Sequence, residues 1–372
     1  MNLNEQNIMF LTRTMELGGT ENVILQLCEI LKSRVHKIIV CSCGGVNVRK
    51  LEDMGITHIK IPDITVKRPR EIFLTIKAIR QLIRQEEITI IHSHHRMAAL
   101  YAMFTGKGKA ILIANAHNTF YDKKNLTRLA YRNTQIIAVG EMVKKNLTTF
   151  FSLPEKQITV IHNSVKPFAD RTVPVPELTS AKTDGYTLIG NIGRLSEQKG
   201  MEYFIKAASI VHTQFPKARF FIVGDGEDAE KLKLLAKKEL EEGILFFLGY
   251  RSDIQNVMEQ IDFIVLSSLW EGLPLTPIEA FSVGKTIVAT AVDGTPEIIE
   301  HEVNGLLTKS KDVDELAENM LRLCRDTELR KTLEKGALRR YEKEFAFGVF
   351  EEKYLNYYRK LTETKSGVKK GK

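Results

Sequence analysis

Short apolar runs recur along the chain, each closed by a polar or glycine-rich turn and followed by apolar positions spaced three and four apart. The runs at 7–11, 37–43, 57–61, 88–91, 111–114, 136–139 and 159–161 have strand length. Between them, Val23, Ile24, Leu27, Ile30 and Leu31 share one helical face, as do Ile72, Ile76, Ile79 and Ile83. Further helices are predicted at 97–104 and 142–150. Residues 167–185 carry Pro167, Pro174, Pro176 and Gly185 with little hydrophobic pattern and read as a linker. A second series then begins, with strands at 188–192, 220–223, 245–248, 261–266 and 286–289. Its helices fall at 201–211, over the Lys/Leu-rich stretch after Gly226, and at 278–283, 314–324, 333–345 and 350–361. Residues 364–372 read as a frayed basic tail.

Strands that alternate with helices build parallel sheets, and ligands of such sheets bind beyond the strand C-termini. The polar residues cluster at those ends: His92 to Arg96, Asn115 to Thr119, Gly193 to Gly200, Gly224 to Gly226, Tyr250-Arg251 and Asp293 to Glu297. The expected fold class is α/β, with two doubly wound Rossmann-like domains facing across a cleft. The expected boundaries are 1–170 for the first domain, 171–345 for the second, and 346–372 for a C-terminal helix and tail returning to the first.

A chain of 372 residues is long enough for two domains. No apolar run approaches the roughly 20 residues of a membrane-spanning helix, and residues 1–6 lack the layout of a signal peptide. Four cysteines do not make a disulfide framework in a chain this long, and a cytoplasmic location is expected. Charge is unevenly spread. Residues 1–170 hold 24 Lys+Arg against 14 Asp+Glu, a net of +10, and the remainder holds 30 against 32. A basic first half points to an anionic partner, either nucleic acid or an acidic membrane surface; a merely solvated basic face is the plain alternative. No aromatic–basic platform or recognisable module supports nucleic acid.

The densest chemistry lies at 267–280, Ser-Ser-Leu-Trp-Glu-Gly-Leu-Pro-Leu-Thr-Pro-Ile-Glu-Ala, between a strand and a helix. Pro277 suits a first helical position, which would leave the amides of Leu275 and Thr276 pointing out of a helix N-terminus, a place for an anion. Glu271 and Glu279 flank it, and carboxylates beside an anion site make sense if they meet hydroxyls. Alone, the pair fits equally well a helix-dipole partner and a solvated loop residue. Arg194 and Lys199 bracket another strand-to-helix loop, as diphosphate clamps do. Gly18-Gly19 leads into the first helix and allows a ligand close to the backbone, or is a tight turn. The His-x-His-His run at 92–95 matches no strong metal signature. Asp312-Val313-Asp314 reads as a helix cap.

The Glu271–Glu279 segment resembles the E-x7-E segment of retaining family-four glycosyltransferases, which have the GT-B fold. Gly18, Gly19 and Glu21 resemble the family's first loop, Arg194 and Lys199 its G-R-L-x-x-x-K-G loop, and Asn115-Ala116-His117 its active-site histidine. The resemblance covers nearly the whole chain and is of the bacterial capsular or exopolysaccharide type. It implies transfer of a hexose from a nucleotide sugar, UDP-linked by preference, to a glycan or lipid-linked acceptor with retained anomeric configuration. It also implies front-face attack, with the leaving phosphate taking the acceptor's proton. Glu271 is then the sugar-side carboxylate and Glu279 the ribose carboxylate. Arg194, Lys199, Gly19 and the Leu275 and Thr276 amides meet the diphosphate, Tyr250 and Arg251 the base, and His117 the sugar or acceptor. One departure is Pro274, where the family often has Gly, so one backbone N–H is missing. No cofactor and no metal are expected. The acceptor is expected on the basic first half (Lys67, Arg68, Arg70, Lys123, Lys124, Arg128 and Arg132), with the protein peripheral on an anionic inner membrane face. The rival readings are a GT-B nucleotide-sugar epimerase and a non-catalytic nucleotide-sugar-binding module.

Overall fold

A computed structural model describes residues 2–166 and 172–369, with side chains to Glu363. The chain divides into two compact units, Met1–Asn163 with Phe350–Lys372, and Ser164–Val349.

The first unit is built on a seven-stranded sheet of β1 (Asn7–Leu11), β2 (Lys37–Ser42), β3 (Thr57–Lys60), β4 (Ile90–Ser93), β5 (Ile111–Ala116), β6 (Gln135–Ala138) and β7 (Ile158–Val160), in the order 3-2-1-4-5-6-7. The second has a six-stranded sheet of β8 (Thr187–Ile192), β9 (Ala218–Val223), β10 (Leu245–Gly249), β11 (Phe263–Leu266), β12 (Ile287–Thr290) and β13 (Leu306–Thr308), in the order 10-9-8-11-12-13. All pairings are parallel. Parallel strands need crossovers, and the crossover helices cover the sheets, so central strands are apolar on both faces. Every residue of β1 and of β11 is buried accordingly. In the second unit the core under the helix Met201–Gln214 is fixed by Phe204 and Phe220, edge to face at 6.1 Å.

Strand order reverses between β1 and β4 in the first unit and between β8 and β11 in the second. Loops leaving two strands in opposite directions open a crevice at such a point. The loops after β8 and β11 are the ones that carry Arg194, Lys199 and Glu271.

Several local expectations are corrected. The helix after β11 is Leu275–Ser282, with Pro274 as its N-cap and Pro277 in its third position rather than its first. Proline is tolerated through the first turn because those N–H groups have no intrahelical acceptor. Glu279 thus falls in the second turn, which weakens the helix-dipole reading. The linker contains a helix, Pro176–Thr183, started by Pro176 and anchored by Leu178 and Ala181; Pro167 lies outside the described residues. The basic loop at 67–70 is already helical from Pro69, in Pro69–Gln85. His92 belongs to β4, not to the turn after it. The last helix runs Phe347–Lys369, through most of the expected tail, and 370–372 lie outside the described residues. The helix Ile254–Gln260 and strand β13 were not legible as elements.

Candidate active site

In the second unit, the loops at the β8/β11 switch point are welded by glycines. A β-carbon on Gly224 would lie 1.9 Å from the Gly193 carbonyl oxygen, and one on Gly226 2.3 Å from that of Leu195. The Gly193 N–H donates to Val223 O, and Leu195 N–H to Asp225 O, both at 3.0 Å. On the other side, a β-carbon on Gly200 would lie 2.3 Å from Ser267 O, and one on Gly294 2.0 Å from Gly272 O. Four strand-end loops therefore meet backbone to backbone, and long side chains above them have a rigid base.

Lys199 crosses this base. Its stem passes over Gly193, and its Nζ donates to Glu271 Oε1 at 2.6 Å. The same oxygen accepts from Ser268 Oγ at 2.7 Å, and the Glu271 N–H donates to Asp293 Oδ2 at 2.8 Å. Lys199 and Glu271 keep only 17% and 7% of their side-chain surface exposed. Asp293 is held at φ +42°, a left-handed conformation that non-glycine residues seldom adopt. Ser267 links the two loops again, donating to Lys199 O and accepting from Asn191 Nδ2.

Thr276 reaches back to β8, its hydroxyl 3.5 Å from Ile192 O. Leu275 and Thr276, the first two residues of their helix, offer amides without intrahelical acceptors, and Pro277 offers none. Glu279 is half-buried. Desolvation raises its carboxyl to about 7, and Lys199 pulls in the opposite direction. Arg194 is exposed and makes no ion pair among the described residues. Tyr250 is exposed at the end of β10. Arg251 is not free: its guanidinium forks onto both Asp253 oxygens at 2.9 and 2.8 Å.

In the first unit, Gly18 caps the helix Gly19–Leu31, and Glu21 turns back toward it, accepting from Thr14 Oγ1 at 3.0 Å. A carboxylate therefore sits at this helix start. Thr20 lines a cavity of about 710 Å³ shared with His94, His95, His117 and Phe120, with Lys67, Arg96 and Lys123 at its wall. His117 Nε2 lies 3.2 Å from His94 Nδ1, and burial lowers its pKa to about 4. His92 is enclosed between Tyr358 and Asn115, at 2.6 and 2.8 Å, and burial lowers it to about 3. Asn115 in turn donates to the Tyr354 hydroxyl at 2.7 Å. Among the described residues, no three His, Cys, Asp or Glu side chains form a group that could hold a metal ion. Asp312 caps the helix Val313–Arg325 by accepting from the Glu315 N–H.

The structure thus joins Lys199 to Glu271 and brings Glu279 within reach of the Lys199 charge. It places Arg194 after β8 and Tyr250 and Arg251 after β10, with β9 between the two strands, and it puts Gly18, Gly19 and His117 in the first unit. Ser268, Asp293 and His94 escaped the sequence reading as site residues. The only sequence trace of Asp293 was an Asp-Gly pair at a strand end.

Two family models match the chain: Glycosyltransferase Family 4 over residues 17–167, and Glycosyl transferases group 1 over 179–340. The UDP-Gal:alpha-D-GlcNAc-diphosphoundecaprenol alpha-1,3-galactosyltransferase of Escherichia coli is 25% identical over 335 residues, covering 83% of this chain and 86% of its own. The N-acetyl-alpha-D-glucosaminyl L-malate synthase of Bacillus anthracis is 22% identical, with 94% and 96% covered. Anabaena Alr3699/HepE, solved in complex with UDP, superposes with a TM-score of 0.81 at 20% identity, over 95% of this chain and 99% of that one.

Proposed function

Since this chain belongs to the family-four, group 1 glycosyltransferases, we propose that it is a retaining, metal-independent hexosyltransferase that uses a UDP-sugar. The observation that carries this reading is the Lys199–Glu271 pair on its glycine-welded base at the β8/β11 switch point. Breaking a glycosidic bond to a diphosphate puts growing negative charge on phosphate oxygens. Fixed cations and amides aimed there stabilise the transition state more than the ground state. Lys199, Arg194 and the Leu275 and Thr276 amides supply them in place of a metal. Glu271, locked by Lys199, Ser268 and Asp293, presents its second oxygen to the donor sugar. Glu279 accepts from the ribose hydroxyls, and the Tyr250–Arg251 turn lies against the base. UDP is favoured because it is the carrier in the E. coli relative's name and the ligand in the HepE structure. Release of nucleoside diphosphate is expected from one or more UDP-sugars with a chelator present; release that needs an added divalent cation contradicts the metal-free reading.

Glu279 gives this reading a pH signature. Its carboxyl is half-ionised near pH 7 in the free protein, and a carboxylate accepts hydroxyl hydrogen bonds better than a carboxylic acid does. Donor KM is therefore expected to rise as pH falls from 8 to 6, approaching about tenfold per unit below 7, and to be flat in Glu279→Gln. The stability effect has the opposite sense. The unfolded carboxyl loses its proton near 4.5 and the folded one near 7, so this group's contribution to folding is lost as pH rises through that window.

For the acceptor, the two curated relatives differ, one naming a diphosphoundecaprenol-linked sugar and one malate. The surface of the first unit favours the lipid. No helix among the described residues is long and apolar enough to cross a membrane. The helix Pro69–Gln85, however, exposes Phe73 (67%) and Leu74 (45%) beside Arg70, Lys77, Arg80 and Arg84, and the Arg80 guanidinium donates to Phe104 O. Exposed aromatic and basic groups on one helix suit an anionic lipid surface. On this reading the enzyme works at the inner membrane face, in capsule or exopolysaccharide assembly. Vesicles with anionic lipid are expected to retain the protein at low salt, and retention is expected to fall at least about tenfold in Phe73→Ala/Lys77→Glu. Equal retention of the two proteins removes this surface from the account.

A further inference from the structure

We infer that His94 sets the tautomer of His117: the buried His94 Nδ1–H donates to His117 Nε2, so that His117 turns its Nδ1–H toward the ligand in the cavity. The consequence for catalysis rests on the glycosyl-transfer reading above; the tautomer itself does not.

His94 follows β4, its own N–H bonded to Leu11 O. Its ring is packed between His92, at 4.5 Å between centroids, and His117, stacked at 5.4 Å, with Phe10 beside it at 5.8 Å. Only 3% of the residue is exposed. Its Nδ1 lies 3.2 Å from His117 Nε2, while its Nε2 is enclosed with no partner among the described residues. A neutral imidazole has one proton, so two arrangements are open. If His117 donated, His94 would carry its proton on the enclosed Nε2, an N–H with no acceptor. If His94 donates, the enclosed atom is a bare lone pair. Buried unpaired N–H groups are rarer and costlier than unused lone pairs, so His94 is the donor. A charged His94 would bury the same orphan N–H as well as a charge. Burial holds both rings neutral.

The proton inventory then fixes what His117 can do. Its Nε2 lone pair is used by His94, and its single proton is on Nδ1, the nitrogen without a partner among the described residues. His117 meets the ligand as a hydrogen-bond donor to oxygen and cannot take the acceptor's proton. His94 is a positioning residue that acts through it. His92 has its own partners, Tyr358 and Asn115, and meets His94 through a tilted ring contact.

Nitrogen-15 NMR of the full-length, histidine-labelled protein at pH 7 tests this directly, with His117 assigned by its loss in His117→Asn. A pyrrole-type Nδ1 and a pyridine-type Nε2 are expected for His117. In His94→Ala, which opens His117 Nε2 to water in the cavity that His94 lines, the ring is expected to revert to the Nε2–H form that free imidazole side chains prefer, with kcat roughly tenfold lower and donor KM within about twofold. Tyr358→Phe is expected to leave the His117 tautomer unchanged. A proton on His117 Nε2 in the wild type, a doubly protonated ring at pH 7, or an unchanged tautomer in His94→Ala overturns the inference. The wild-type spectrum decides even if His94→Ala does not fold. If the tautomer is as inferred but no donor is turned over, the enzymatic reading fails and the tautomer stands.

Discussion

Lys199→Ala is expected to lower kcat/KM about a hundredfold or more and to destabilise the second unit by about 3 kcal/mol. The two effects have different origins, and this makes them separable. Lys199 and Glu271 form a mostly buried pair at 2.6 Å. Removing the ammonium leaves a carboxylate enclosed beside Ser268, which costs about 3–5 kcal/mol when such a charge loses its partner. The rate loss comes instead from the missing cation at the leaving diphosphate. Adding Glu271→Gln to Lys199→Ala removes the stranded charge. The double variant is therefore expected to regain most of the lost stability in a denaturant titration while its rate stays at least about a hundredfold down. If Lys199→Ala, assayed well below its unfolding transition, turns over within a fewfold of the wild type, the pair only holds the loops and the diphosphate is stabilised elsewhere.

Gly224→Ala is the largest structural effect expected. Gly224 has φ +143°, and its β-carbon would fall 1.9 Å from the Gly193 carbonyl oxygen. That atom belongs to backbone, not to the end of a mobile side chain, so a loop must move. The contact lies between the turns after β8 and β9 that support Lys199 and Arg194. A loss of about 4 kcal/mol or more is expected, lowering Tm by about 10 °C for a unit of this size, with turnover reduced in the protein that still folds. Gly243→Ala is the control. Its φ is +83° but nothing lies within 4 Å of the added carbon, so only the backbone strain of about 1 kcal/mol remains. Equal shifts for the two variants would mean that the β8 and β9 turns are not close-packed.

Apolar runs made both parallel sheets legible, because central parallel strands are buried on both faces and carry little else. The residue types of the site were legible for the same reason: polar side chains stand out at the end of an apolar strand. Partnership was not. Lys199 and Glu271 are 72 residues apart, and nothing in either loop states that one lies on the other. Asp293 acts through the Glu271 backbone, a role any short acceptor could fill. His92 seemed to end its strand because it is polar. It continues the strand because Tyr358 and Asn115, 266 and 23 residues away, satisfy both ring nitrogens. The helix starts at Leu275, two residues before Pro277, because the whole first turn tolerates proline and not only the first position, where it is commonest.

The most direct test of the account is transfer itself. The wild-type protein and Glu271→Gln would be incubated with UDP-sugars, a chelator and a polyprenyl-diphosphate-linked sugar acceptor, and the product's anomeric configuration read by NMR. The account predicts a glycosylated lipid from at least one UDP-sugar, with the donor's configuration retained, and its loss in Glu271→Gln. An inverted product, or an undiminished yield from Glu271→Gln, would contradict it.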